Sequence, residues 1–219
     1  MIKFFFKEKF TILLGLLLVY VIATPFFAPI INQEIFLDIT FSAVMLSAIL
    51  TLSREKKSRI AVILLVLPCI VLIWFKLPDS SAEIFLAEAA LQAMFDFFMI
   101  IIIIWFVFNS PVITRDILSA SIVAYLFVAL FFANSFLVLE ILSPGSFSIP
   151  NELITADPSV LKYFSFVTLT TLGYGDVVPI SNQAKTMVIS EAFIGQIYLT
   201  VLIARLVGVY AAGHHKQKK

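Results

Sequence analysis

Nine consecutive residues, Thr168-Leu-Thr-Thr-Leu-Gly-Tyr-Gly-Asp176, hold the residue types from which this chain can build chemistry. Gly173 and Gly175 alternate with residues that carry a Cβ, and glycine reaches positive φ without the steric cost those residues meet. The Thr171 hydroxyl adds an oxygen of the kind a hard, weakly held cation accepts. Asp176 ends the run with a carboxylate. A bare Leu-Gly-Tyr-Gly is also what a flexible turn between helices looks like, so the elements on either side decide what the run can do.

Those elements belong to a membrane. Of 219 residues, 61% are hydrophobic, and the mean hydropathy is +1.07. Average globular usage is about half apolar, which excludes an ordinary soluble domain. Apolar stretches long enough to cross roughly 30 Å lie at about 10–31, 35–52, 60–77, 84–108, 117–142 and 184–211. A shorter apolar stretch precedes the nine residues. The first long stretch follows Lys3, Lys7 and Lys9 as a signal peptide would, yet it continues through Phe26, Phe27 and Ile30 and is expected to be a retained helix.

Charge gives the orientation. Lys3, Lys7, Lys9, Arg54, Lys56, Lys57, Arg59, Arg115, Arg205, Lys216, Lys218 and Lys219 fall on one side of a six-span arrangement. Basic residues favour the cytoplasmic side, so both termini are expected inside the cell membrane and the loop from Thr171 to Asp176 outside. The net charge of +1 reflects these topology determinants and gives no reason to expect a nucleic-acid partner; the expected partner is the lipid bilayer.

With Thr168, Thr170, Thr171 and Asp176 at their spacing around Gly-Tyr-Gly, the run resembles the signature of the potassium-channel superfamily, TxxTxGYGD in one-letter form. The resemblance implies a selectivity filter in which the backbone carbonyls of Thr171, Leu172, Gly173, Tyr174 and Gly175 replace the water around K⁺, with ion sites at Thr171 to Tyr174. It implies that Tyr174 braces the strand from outside and that Asp176 concentrates cations at the outer mouth. One chain supplies one strand, so a homotetramer is implied. The implied fold is an all-α membrane protein: six transmembrane helices, with a re-entrant pore helix and filter loop between the fifth and sixth. K⁺ is then the permeant ion, no cofactor is required and the protein is not an enzyme.

The polar, proline-bearing break at Asn109-Ser-Pro111 divides the chain into a four-helix bundle, 1–110, and a pore domain, 111–219. Asp157-Pro158 reads as a helix start, with Asp157 as N-cap, Pro158 in the first position, and a pore helix over 159–170 that carries Thr168 and Thr170. Its C-terminal dipole end would favour a cation. Ser181 or Asn182 can cap the last helix. Gly195 falls where the family's inner helix has a glycine hinge, although a glycine in a membrane helix is also a close-packing point. If Gln196 faces the cavity, helical steps place Thr200, Ile203 and Val207 beside it and Arg205 about 180° away. Glu191 falls off that face. It is expected to be a buried brace held by hydroxyls or amides behind the pore helix, or a proton-sensitive element of gating.

Six spans with a pore in the last two is similar to voltage-gated potassium channels, whose fourth span carries arginines. Here residues 83–108 contain no Lys or Arg and instead hold Glu88 and Asp96. Steep gating needs about three to four charges per subunit in a field worth roughly 2.3 kcal/mol per charge per 100 mV, so weak or no intrinsic voltage dependence is expected. Asp38 and Glu88 are expected near the solvated outer surface; Asp96 is deeper and is the candidate for a role in gating or bracing. The sequence ends soon after Gly213, so no cytoplasmic ligand domain is expected in it. Inside the pore, Leu172 replaces the commoner valine. Val167 stands where some members have a glutamate, and Tyr163 and Phe164 where an aromatic pair packs. Cys69 reads as an apolar filler and His214-His215 as part of a tail, not a metal site. A weakly selective cation channel and a non-conducting regulatory subunit are the competing readings. An intramembrane enzyme lacks paired aspartates, a His cluster or a Ser-His set.

Overall fold

In lipid every backbone N–H and C=O must find a partner within the chain, and a run of apolar residues satisfies that locally only as a helix. The computed structural model, which describes residues 9–23, 26, 33–51, 56–74, 82–149 and 158–216, bears this out. The elements are α1 (Lys9–Leu18) with a π-helical turn Val19–Ala23, α2 (Gln33–Thr51), α3 (Lys56–Trp74), α4 (Ala82–Asn109), α5 (Arg115–Leu142), β1 (Phe147–Ser148), α6 (Pro158–Leu169), β2 (Val178–Pro179) and α7 (Asn182–Lys216). Among the described residues three helices are long and apolar enough to cross a membrane: Ala82–Asn109, Arg115–Leu142 and Asn182–Val209. Lys9–Ala23, Ile35–Thr51 and Val62–Trp74 are shorter apolar helices at the positions of the first three expected spans. The protein is therefore a helical membrane protein, and side chains such as Leu50, Leu64 and Trp105 stand exposed on it as lipid-facing residues do.

The chain packs as two compact units, residues 1–78 with 98–126 and residues 79–97 with 127–219. The divisions fall inside α4 and α5, because each is a continuous 28-residue helix that contributes one part to each unit. The polar break at Asn109 to Pro111 thus lies within the first unit.

In the first unit, α1 is fixed to α5 by polar contacts: Asp116 Oδ1 accepts the Phe10 backbone N–H at 2.9 Å, and the Thr11 and Ser119 hydroxyls pair at 3.1 Å. Phe10 stacks on Phe106 with ring centroids 4.8 Å apart. Trp74 Nε1 donates to Ser42 Oγ, joining α3 to α2. Cys69 is buried in α3, consistent with a filler role.

In the second unit, Phe136, Phe147 and Phe164 form a mutual aromatic cluster that packs α6 against α5 and β1. The turn after α5 is held by Glu140, whose two carboxylate oxygens accept the N–H groups of Gly145 and Phe147. Gly145 sits there at φ 83°, a turn conformation that suits glycine. β1 and β2 pair antiparallel, Phe147 opposite Pro179 and Ser148 opposite Val178. The Ser146 carbonyl also accepts from the N–H groups of Ile180 and Ser181 at 2.7 and 3.2 Å. The chain between Ser146 and Ile180, with α6 and the nine-residue run inside it, is therefore a loop closed at its neck.

Candidate functional site

Helix α6 starts at Pro158, as the sequence predicts; the expected N-cap Asp157 lies outside the described residues. The helix ends at Leu169, and two backbone bonds turn the chain out of it: Thr170 N–H reaches the Phe166 carbonyl and Thr171 N–H the Thr168 carbonyl. The Val167 carbonyl then accepts from both Leu172 N–H (2.9 Å) and Gly173 N–H (3.4 Å). The first half of the run is thus tied to the last turn of α6 through its amides.

The backbone alternates in hand. Thr171 has φ 61°, Gly173 57° and Gly175 81°, and Thr171 is the one non-glycine residue with positive φ among the described residues. Both glycines adopt the conformation that their spacing implied. Thr171 is different, because a β-branched residue pays for a left-handed backbone, and such outliers persist where surrounding structure fixes them. An added Cβ at Gly173 or Gly175 meets no atom within 4 Å, so backbone conformation, not crowding, sets the demand for glycine there. Residues 171–176 are all exposed on the single chain, Leu172 by 55% and Tyr174 by 66%.

Asp176 uses both carboxylate oxygens. Oδ1 accepts the Val177 N–H at 3.0 Å, and Oδ2 accepts the Tyr163 hydroxyl at 2.7 Å. That hydroxyl holds the Asp176 carboxyl below the usual carboxylate range. The same bond, helped by partial burial and the charge of Asp176, pushes Tyr163 up to about 12. In the sequence Tyr163 stands out only as a packing aromatic. The available signal was its hydroxyl, the one donor in the pair Tyr163-Phe164.

Behind α6 lies Glu191 of α7, fully buried. Ser165 Oγ is in hydrogen-bond contact with Glu191 Oε1 and, at 2.7 Å, with the Ala129 carbonyl of α5. This is the hydroxyl partner that the sequence led one to expect, although nothing in the sequence singled out Ser165. One helical turn later, a Cβ added to Gly195 would stand 2.6 Å from Leu169 Cδ1, so Gly195 is a point of close approach between α7 and α6. Of the two expected caps, Ser181 or Asn182, it is Ser181 that caps α7, its hydroxyl accepting the Ala184 N–H at 3.1 Å.

The face of α7 formed by Gln196, Thr200, Ile203 and Val207 is exposed on the single chain, whereas Arg205 is half-buried. Asp96 is fully buried and accepts from Asn134 Nδ2 at 2.8 Å through Oδ2, which links α4 to α5 within the second unit. Its Oδ1 has no hydrogen-bond partner among the described residues. Glu88, expected near solvent, is instead buried and accepts from Gln92 one turn along α4. No group of three or more metal-ligating side chains occurs among the described residues.

Residues 100–212 match a family described as an ion channel, a stretch that begins near the end of α4 and covers α5, α6, the nine-residue run and most of α7. No curated protein and no solved structure matches the chain.

Proposed function

Since this chain belongs to the ion-channel family, within the potassium-channel superfamily, we propose that it assembles as a homotetramer and conducts K⁺ passively and selectively across the cell membrane. The carrying observation is the alternation of positive φ at Thr171, Gly173 and Gly175. Reversing the backbone hand at every second residue turns successive carbonyls toward one side, which gives a column of oxygens able to replace the hydration shell of K⁺. The amides face the other way, and two of them are already bound by the Val167 carbonyl.

One strand provides only part of such a cage. The exposure of residues 171–176, together with the exposed face at Gln196, Thr200, Ile203 and Val207, fits a chain whose copies close around a common axis. α6 leads straight into the strand, so the negative end of its dipole is aimed at the site where a cation rests. Asp176 then raises the local cation concentration outside, with both termini in the cytoplasm. In this reading α1 to α4 form a sensor-like bundle whose last helix, α4, carries no Lys or Arg, and the open state depends weakly or not at all on voltage.

The test is ion flux from liposomes that contain the purified protein, with K⁺ or Na⁺ as the permeant ion. K⁺ flux well above Na⁺ flux, lost in Gly173→Ala, is the expected result. Equal fluxes would indicate a weakly selective cation channel, and no flux a regulatory subunit.

A further inference from the structure

Glu191, Ser165 and Ala129 bring three oxygens from three helices into one buried line: the carboxyl from α7, the hydroxyl from α6 and the backbone carbonyl from α5. Two hydrogen bonds along such a line need two protons. The Ala129 carbonyl can only accept, and Ser165 has a single hydroxyl proton. If Ser165 gives it to Ala129, at 2.7 Å, the contact between Ser165 Oγ and Glu191 Oε1 lacks a proton unless the carboxyl supplies one. If Ser165 gives it to an ionised Glu191, two bare oxygens are left facing each other at Ala129.

The surroundings point the same way. Glu191 Oε2 is buried with no partner among the described residues, a modest cost for the carbonyl oxygen of an acid and a large one for half of a carboxylate. No charged side chain is set against Glu191 among the described residues. From α6 it faces the Ser165 hydroxyl, with the Ala129 carbonyl of α5 beyond; Lys162 of α6 exerts its pull on Asp96 of α4.

We propose that Glu191 is a positioning residue that works as a neutral carboxylic acid: it donates to Ser165 Oγ, which donates to the Ala129 carbonyl, and this chain pins α6 between α5 and α7. Six residues after Ser165 the filter strand begins at Thr171, so a fixed Ser165 fixes the depth and rotation at which the carbonyl column starts. The inference rests on the reading of Thr171 to Gly175 as the ion path.

The experiment compares wild type with Glu191→Gln, Glu191→Leu and Ser165→Ala, reading the K⁺/Na⁺ permeability ratio in liposomes and the infrared C=O stretch of a protonated carboxyl. Glutamine keeps the size and a donor for Ser165 Oγ. The expectation is that E191Q preserves the ratio and its independence from mildly alkaline pH, while E191L and S165A lower the ratio several-fold with oligomer size unchanged. A purely structural role would alter oligomer size or thermal stability and leave the ratio intact, which overturns the proposal. So does an E191Q protein as impaired as E191L, since that would require an ionised carboxylate.

The infrared band is independent of flux and of how the leucine variant folds. A protonated-carboxyl band in wild type that is lost in E191Q and persists at mildly alkaline pH supports the proposal; absence of that band overturns it. If wild type shows the band but passes neither ion, the conduction reading fails while the neutral acid stands.

Discussion

The Tyr163 hydroxyl on α6 donates to Asp176 Oδ2 at 2.7 Å, so the two ends of the proposed filter are anchored to one helix: the inner end through the Val167 carbonyl, the outer through this bond. Tyr163→Phe removes only the outer anchor. We expect K⁺ current in planar bilayers to decay faster after opening in Y163F, with selectivity at early times unchanged. The double variant Y163F/D176A should be no worse than D176A alone, because both remove one interaction.

The same pair sets a pH window. Asp176 is held below the usual carboxylate range chiefly by the Tyr163 bond, opposed by partial burial and aided by the Val177 amide. A depressed carboxylate contributes fully above its ordinary pKa and loses that contribution as pH falls through the lowered value. Tyr163, raised to about 12, stays protonated through the mildly alkaline range and yields only as pH rises through that value. Outer-side titration of the K⁺ current should therefore be flat across neutral pH and fall only in acid. Y163F should move the acid fall to higher pH.

Gly173 and Gly208 provide a matched pair for testing the filter backbone. A Cβ added at either would meet no atom within 4 Å, but Gly173 has φ +57° whereas Gly208 lies in regular helix. Alanine in the left-handed region costs about 1–2 kcal/mol, enough to depopulate the filter conformation about tenfold. Gly173→Ala should cut K⁺ flux by about that factor or more, and Gly208→Ala should leave flux unchanged while raising helix stability by up to about 1 kcal/mol.

Gly195 separates packing from hinging. Its added Cβ would meet Leu169 Cδ1 at 2.6 Å, the far end of a side chain that can yield. Overpacking costs about 1–3 kcal/mol, and the lower end is expected here. Thermal unfolding in detergent should show Gly195→Ala destabilised and Leu169→Val partly restoring it. If conduction is lost in G195A and stays lost in G195A/L169V, the hinge role implied by the family resemblance accounts for the glycine instead.

Local features were legible in the sequence because they depend on nearest neighbours. Pro158 at the start of α6, Ser181 as the cap of α7 and positive φ at Gly173 and Gly175 all follow from the conformations those residues favour. Thr171 was not foreseen at φ 61°, since its β-branch argues against that region and only the bonds from Thr171, Leu172 and Gly173 back to α6 hold it there. Partners distant in sequence were likewise invisible. Tyr163 and Asp176 are 13 residues apart, and Ser165 and Glu191 are 26 apart; the first pair meets because the chain after α6 returns to it, the second because α7 packs against α6. Helical periodicity did place Glu191 off the face of Gln196 and Thr200, and it is buried while they are exposed.

The carbonyl of Ser146, which accepts the amides of both Ile180 and Ser181, has a consequence for how this protein can diversify. Residues added between Ile149 and Pro158 enter a ring whose neck is already sealed by that carbonyl and by the pairing of β1 with β2. That segment can therefore change in length and charge while the neck, and with it the placement of α6 and the nine-residue run, stays as it is.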